Sequence, residues 1–248
     1  MEVHHHTHHG KKKWTEYLWE FLMLFLAVFC GFLAEYQLEH MIEHNKEKEY
    51  MRSMVEDLAQ DTTEINMTNT AVLNQHKNLD SLLDILELPI SENQNDLKKL
   101  YRLHYYNMGA EAALFSQRTI SQLKNAGGLR LIRHKNVADS ITLYDTKQQH
   151  LDAIAKSYDE VTTDMDKDGY MIFDNQYIRH NFETGSISIL TNNATTIRLY
   201  ANRVFMVQIV EKYYKNYLIQ QKELAVALMS LIKKEYHLSA NRRTPLEK

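Results

Sequence analysis

From Phe21 to Ala34 the chain carries no charge, and taking the run back to Tyr17 admits one acid, Glu20. That is a stretch of about 18 residues, roughly 27 Å as a helix, enough to cross the hydrocarbon core of a bilayer. Trp14, Tyr17 and Trp19 sit at one edge and Tyr36 at the other, the places where amphipathic rings anchor at headgroup level. Lys11, Lys12 and Lys13 precede the run, as they would in a cleaved secretory signal. The cleavage rule is not met, however: Phe32 stands three residues ahead of a cut after Ala34, and Phe29 precedes Cys30 where a lipoprotein signal needs a small residue. The sequence therefore predicts a retained single-pass anchor.

Three lysines lie before the span, while Glu35, Glu39 and Glu43 follow it and Lys46 and Lys48 come later. By the positive-inside rule the N-terminus stays in the cytoplasm and everything after about residue 36 lies outside. In a bacterium this means an inner-membrane protein with a periplasmic domain. The expected division is a His/Lys-rich cytoplasmic tail (1–13), a transmembrane helix (14–36), a helical extracytoplasmic domain (37–241) and a polar tail (242–248).

Within the span, Ala27, Gly31 and Ala34 fall on one helix face with Cys30 beside them. Small side chains let helix backbones approach closely, so this face is the expected oligomer interface. Glu20, seven residues before Ala27, and Glu35, four after Gly31, lie near the same face. An acid turned to lipid is costly, so Glu20 is expected in that interface or snorkelling to the surface. A cation or proton path through an oligomer, using Glu20 and Glu35, is the alternative use of the same acids.

Beyond the span, 248 residues with only seven Gly and two Pro do not describe a turn-rich sandwich or barrel. The chain should be all-α: a single N-terminal transmembrane helix continuing into a long-helix bundle or coiled-coil-like stalk. Met51, Met54, Leu58, Ile65, Val72, Leu79, Leu83 and Leu86 recur at helical intervals, with Asp61, Thr62 and Thr63 as a candidate kink or break and Pro89 as the stop. A second helix is expected from about Glu92 to Tyr106, and a short third one capped by Ser116 and ending at Gly127 and Gly128. A fourth runs over Asn136 to Asp159, followed by an irregular stretch from about Asp164 to Leu190. The last is expected from Asn193 to Tyr236, with Leu199, Phe205, Ile209, Tyr213, Tyr217, Leu224, Leu228 and Leu231 on its apolar face.

A formal charge of −3 lacks the basic excess of a nucleic-acid binder, so no nucleic-acid partner is expected; lipid and a second copy or a membrane-complex partner are. One cysteine permits neither an internal disulfide nor a thiolate zinc site. His4, His5, His6, His8 and His9 form a tract that binds transition metals weakly by composition. His40, Glu43 and His44 spell H-x-x-E-H, a zinc-protease spacing without a third ligand in view. Asp164, Asp166, Asp168 and Gly169 spell the first half of a calcium loop, but its twelfth position is Asn175 where a bidentate glutamate belongs. A weak calcium or transition-metal site is what these clusters suggest, with metal handling by the N-terminal histidines as an alternative function, and no obligatory cofactor is expected. No nucleophile elbow or phosphate-binding loop is readable, so the expectation is a non-enzymatic interaction, scaffold or sensory module.

The stretch His5 to Glu35, H-H-T-H-H-G-K-K-K-W-T-E-Y-L-W-E-F-L-M-L-F-L-A-V-F-C-G-F-L-A-E, resembles the opening of a set of single-span membrane proteins of Bacteroidota. The T-I-S-Q-L-K-N-A-G-G-L-R-L-I core within Phe115 to Ile132 is similar to the same set. The resemblance implies a native histidine tract and an inner-membrane location, and it carries no activity to any residue.

Overall fold

The computed structural model describes residues 13–125, 127–180 and 186–238. Among them the chain is all-helical: α1 (Trp14–Leu86), α2 (Gln94–Tyr106), α3 (Arg118–Asn125), a 3-10 turn (Gly128–Leu131), α4 (Lys135–Gly169), α5 (Asn175–Arg179) and α6 (Ala194–Glu235). Two compact units divide the chain, Met1–Glu49 and Tyr50–Lys248.

In the first unit α1 is the one described element, and every residue from Lys13 to Lys46 is exposed. Its most apolar window has a mean hydropathy of 2.0 and none of it is buried in the protein. Exposing that much apolar surface to water is unfavourable by roughly 25 cal/mol per Å². Among the described residues one helix, α1, is long and apolar enough to cross a membrane, and the chain is membrane-associated.

The second unit is a helical bundle built on α1, α4 and α6. The buried positions of α1 are Met51, Met54, Leu58, Asp61, Ile65, Thr68, Val72, Gln75, Leu79, Leu82 and Leu86, with Asp57 beside them. Those of α4 are Val137, Ile141, Tyr144, Gln148, Leu151, Tyr158, Thr162, Met165 and Gly169. Those of α6 are Tyr200, Val204, Val207, Glu211, Tyr214, Leu218, Gln221, Ala225, Leu228 and Ile232. In all three the steps alternate between four and three, apart from one longer step in α4 that passes over half-buried Ala155. That spacing keeps one seam of each helix toward its neighbours.

Cross-helix hydrogen bonds fix direction. Tyr144 on α4 pairs with Asp61 on α1, and Tyr158 with Gln75, both at a separation of 83 residues, so α1 and α4 run parallel in constant register. Gln208 donates to Asp80 and His76 meets Glu211, so α6 runs antiparallel to α1. Arg203 pairs with Asp168 and Asn136 with Glu235, which sets α6 antiparallel to α4 as well. Parallel neighbours need a return path, and residues 87–134 supply it.

Four expectations are corrected. Asp61, Thr62 and Thr63 do not break α1, which runs on through them: Thr62 and Thr63 donate to the Leu58 and Ala59 carbonyls within the helix and Asp61 is fully employed across it. The third helix starts at Arg118 rather than being capped by Ser116. α4 continues ten residues past Asp159, shortening the irregular stretch, which also contains α5. The apolar face of α6 is corrected in part: Leu199, Phe205 and Tyr213 are 58%, 54% and 60% exposed, while the residue beside each, Tyr200, Val204 and Tyr214, is buried; Leu228 is buried and Tyr217, Leu224 and Leu231 pack against the core as expected.

Candidate functional site

Two regions combine exposed or buried chemistry with definite geometry: the apolar half of α1, and a polar network threaded through the bundle.

On the apolar half of α1, Glu20, Ala27, Gly31 and Ala34 fall within an arc of about 60° at 100° per residue. All four are exposed, as is Cys30. A Cβ placed on Gly31 would have nothing within 4 Å, so that face is open in the single chain. The opposite face carries a ring ladder: Phe21 stacks on Phe25 with centroids 6.3 Å apart, and Phe25 on Phe29 at 5.9 Å. One side is thus bulky and aromatic, the other flat. Farther along, Tyr36 packs on His40 at 5.7 Å, and His44 lies 3.5 Å from Glu47. The H-x-x-E-H residues thus find partners along their own helix.

In the bundle, the return path begins with α2 and then lies along α1 as an irregular strap, residues 107–117. An irregular segment on a helix has no ladder for its amides, yet buried N–H groups need acceptors. Side chains of the three long helices provide them. The Gln75 amide donates to the Asn107 and Gly109 carbonyls at 3.3 and 3.0 Å. Asp166 accepts from the Gly109 N–H at 3.2 Å, and the Tyr214 hydroxyl accepts from the Ala113 N–H at 2.7 Å. Then come three acids of α1 in succession: Glu64 accepts from Leu114 N–H, Asp61 from Ser116 N–H at 2.7 Å, and Asp57 from Thr119 N–H at 3.0 Å. Asp57 also receives the Arg118 guanidinium at 2.7 Å, so it caps and charges the first turn of α3 from a different helix.

The network is desolvated. Burial pushes the Asp61 carboxyl above the ordinary carboxylate range, against the lowering effect of its Ser116 and Tyr144 hydrogen bonds. Burial likewise raises the Tyr144 and Tyr158 hydroxyls, and takes Tyr214 up to about 12. Glu211, buried on α6, is raised by burial while His76, 3.0 Å away, opposes the rise. The Tyr144 and Tyr158 hydroxyls stay protonated and donate to Asp61 and Gln75, while Asp61 and Tyr214 accept from the strap, so the network ties the strap and α4 to the long helices.

Around the end of α4 lies a second cluster. His104 is fully buried, its ring stacked on Phe173 at 4.1 Å and its Nδ1 2.8 Å from the Tyr200 hydroxyl. Burial alone lowers it to about 4. Gly169 is what admits the ring: a Cβ there would stand 2.5 Å from His104 Cε1. Held by the stack and the hydrogen bond, the ring has no easy retreat. Gly169→Ala is accordingly expected to cost about 2 kcal/mol as an overpacked site, read as a drop of several degrees in Tm of the full chain in detergent; an unchanged Tm would mean the ring is free to move.

The aspartates expected on a calcium turn are placed differently. Asp164, Asp166 and Asp168 lie in the last turns of α4, where alternate residues point about 200° apart instead of converging. Asp164 pairs with Lys167 and Arg203, Asp168 with Arg203, and Asp166 with the Gly109 amide. Among the described residues no group of three metal-binding side chains forms. His4, His5, His6, His8 and His9 lie outside the described residues.

Fold and site together define an all-helical, membrane-associated chain whose buried polar groups are structural. Compared with family models, curated proteins and solved structures, the chain matches none.

Proposed function

We propose that this protein is a membrane-anchored, non-enzymatic interaction or scaffold module that associates with copies of itself through the Ala27, Gly31 and Ala34 face of its span. The observation that carries the reading is the two-sidedness of that helix: a flat, open face at Gly31 opposite the Phe21, Phe25 and Phe29 ladder. Stacked phenylalanines suit lipid tails, whereas a flat face suits another helix backbone. The heptad spacing of the buried positions in α1, α4 and α6 supports coiled-coil packing of the domain, a geometry for presenting surface over a length of roughly 60 Å at 1.5 Å per residue. The lysines ahead of the span support a cytoplasmic N-terminus and a periplasmic bundle in the inner membrane of a diderm bacterium, in line with the resemblance to Bacteroidota single-span proteins.

Gly31→Leu gives a sharp test because a Cβ at that position meets nothing within 4 Å. The wild-type chain in mild detergent is expected to self-associate, and Gly31→Leu and Ala27→Leu are each expected to weaken that association at least about tenfold, on the order of the loss of one packing interface. Unchanged association in both variants would remove this face from the interface.

A further inference from the structure

The end of α1, the turn after it and the start of α6 enclose a groove of about 820 Å³, with Leu83, Leu86, Ile90, Ile197, Ala201 and Phe205 in its wall. Beside it is a smaller hollow of about 270 Å³ that includes Ser81, Asp84, Asp96 and Lys99. Leu88 and Pro89 line both, so they form a ridge between two depressions, and Leu88 is 67% exposed. The apolar surface continues along α6 through Phe205, Met206 and Tyr213, all exposed. This row includes Phe205 and Tyr213, which the sequence pattern assigned to the core and which stay more than half exposed.

Two charges sit in the groove, Glu87 and Arg198. Both are exposed, and neither side chain makes an ion pair or hydrogen bond among the described residues. A surface that carries a ridge beside a hollow, and an unpaired acid beside an unpaired base, is complementary to itself. An isologous two-fold contact places each feature against its counterpart on the other copy.

We infer that this groove is a second self-association surface, in which the Leu88–Pro89 ridge of one copy enters the groove of another and Arg198 of each copy pairs with Glu87 of the other. The inference rests on the self-association reading above but uses a different part of the chain. The span brings copies together in the plane of the membrane, and the groove selects their orientation.

The test uses the full chain in detergent, with native mass measured against protein concentration, in a Gly31→Leu background that disables the span face. The Gly31→Leu chain is expected still to dimerise. Glu87→Arg and Arg198→Glu should each weaken that dimer at least about tenfold, since each sets two like charges at both symmetry-related contacts. The double reversal should restore the parental value, because the pairing is regained with its signs exchanged. A Gly31→Leu chain that is monomeric at every concentration would overturn the groove and leave the span reading standing. A Gly31→Leu dimer as strong as wild type, but sensitive to the charge reversals, would uphold the groove and overturn the span reading. Single reversals without effect, or a double reversal no better than either single one, would also overturn the inference.

Discussion

Asp61→Ala is expected to cost about 3 kcal/mol of stability, the magnitude for removing a buried acceptor and leaving two donors unmet. Asp61 is 1% exposed, and its two carboxylate oxygens each take a donor at 2.7 Å: the Ser116 amide from the strap and the Tyr144 hydroxyl from α4. Alanine leaves both buried in a place water does not reach, and it opens a small cavity in the seam. Asp61→Asn keeps a carbonyl oxygen for one of the two and should cost only about 1 kcal/mol, near the net value of one hydrogen bond. Denaturant unfolding of the full chain in micelles, followed by helical circular dichroism, separates the two variants. Equal losses would mean that the acceptor geometry is irrelevant and that only packing matters there.

The second large effect concerns acid. His104 sits at about 4 in the folded protein against 6.5 for an unburied imidazole. Between those values the unfolded chain takes up a proton and the native one does not, so this group removes stability as pH falls from about 6.5 toward 4. The full amount is about 3 kcal/mol at 1.36 kcal/mol per pH unit. Asp166, one turn along α4 from the histidine's contact at Gly169, runs the other way. Burial raises it to about 6, so the native state takes up its proton first and gains stability as pH falls from about 6 toward the ordinary carboxylate value. Wild type should therefore show a shallow acid response. Asp166→Asn, which keeps an acceptor for the Gly109 amide but cannot titrate, should uncover a fall of roughly 2–3 kcal/mol between pH 7 and 4.5. Adding His104→Gln should flatten it again. An Asp166→Asn curve that tracks wild type across this range would show that the two groups do not oppose one another.

Much of the helical layout was legible because one column of the α1 seam is uniformly apolar: Met51, Leu58, Ile65, Val72, Leu79 and Leu86. The alternate column was not, because it reads Met54, Asp61, Thr68, Gln75 and Leu82, and a polar residue in a helical pattern looks like an interruption. The structure shows what those polar residues are for: Asp61 and Gln75 are where the strap and α4 attach. A signal was present in the regular seven-residue recurrence of Asp61, Thr68 and Gln75. On α6 the same difficulty misplaced part of the face: Glu211, Gln221 and Ala225 occupy buried positions while Leu199, Phe205 and Tyr213 do not, although Leu228 is buried and Tyr217, Leu224 and Leu231 pack against the core. Reading by hydrophobicity alone passed over the polar seam positions and took exposed neighbours in their place. The calcium-like spacing failed for a related reason. Asp164, Asp166 and Asp168 have the order a loop needs, but the helix carries on through them, and backbone conformation decides whether alternate side chains converge.

The return strap has a mechanical corollary. Because residues 87–134 carry the chain back, α4 repeats the direction of α1 and α6 comes home. Leu228, Ile232 and Tyr236 then share one core cluster with Met51 and Met54. The two ends of the bundle, near Tyr50 and Leu238, thus lie at the same level. Tension applied between them would peel α6 from α4 and from the side-chain contacts of α1 one layer at a time, loading a single rung of contacts rather than the whole seam at once. Such a bundle yields to a modest pull from its ends while resisting the same force applied along its length.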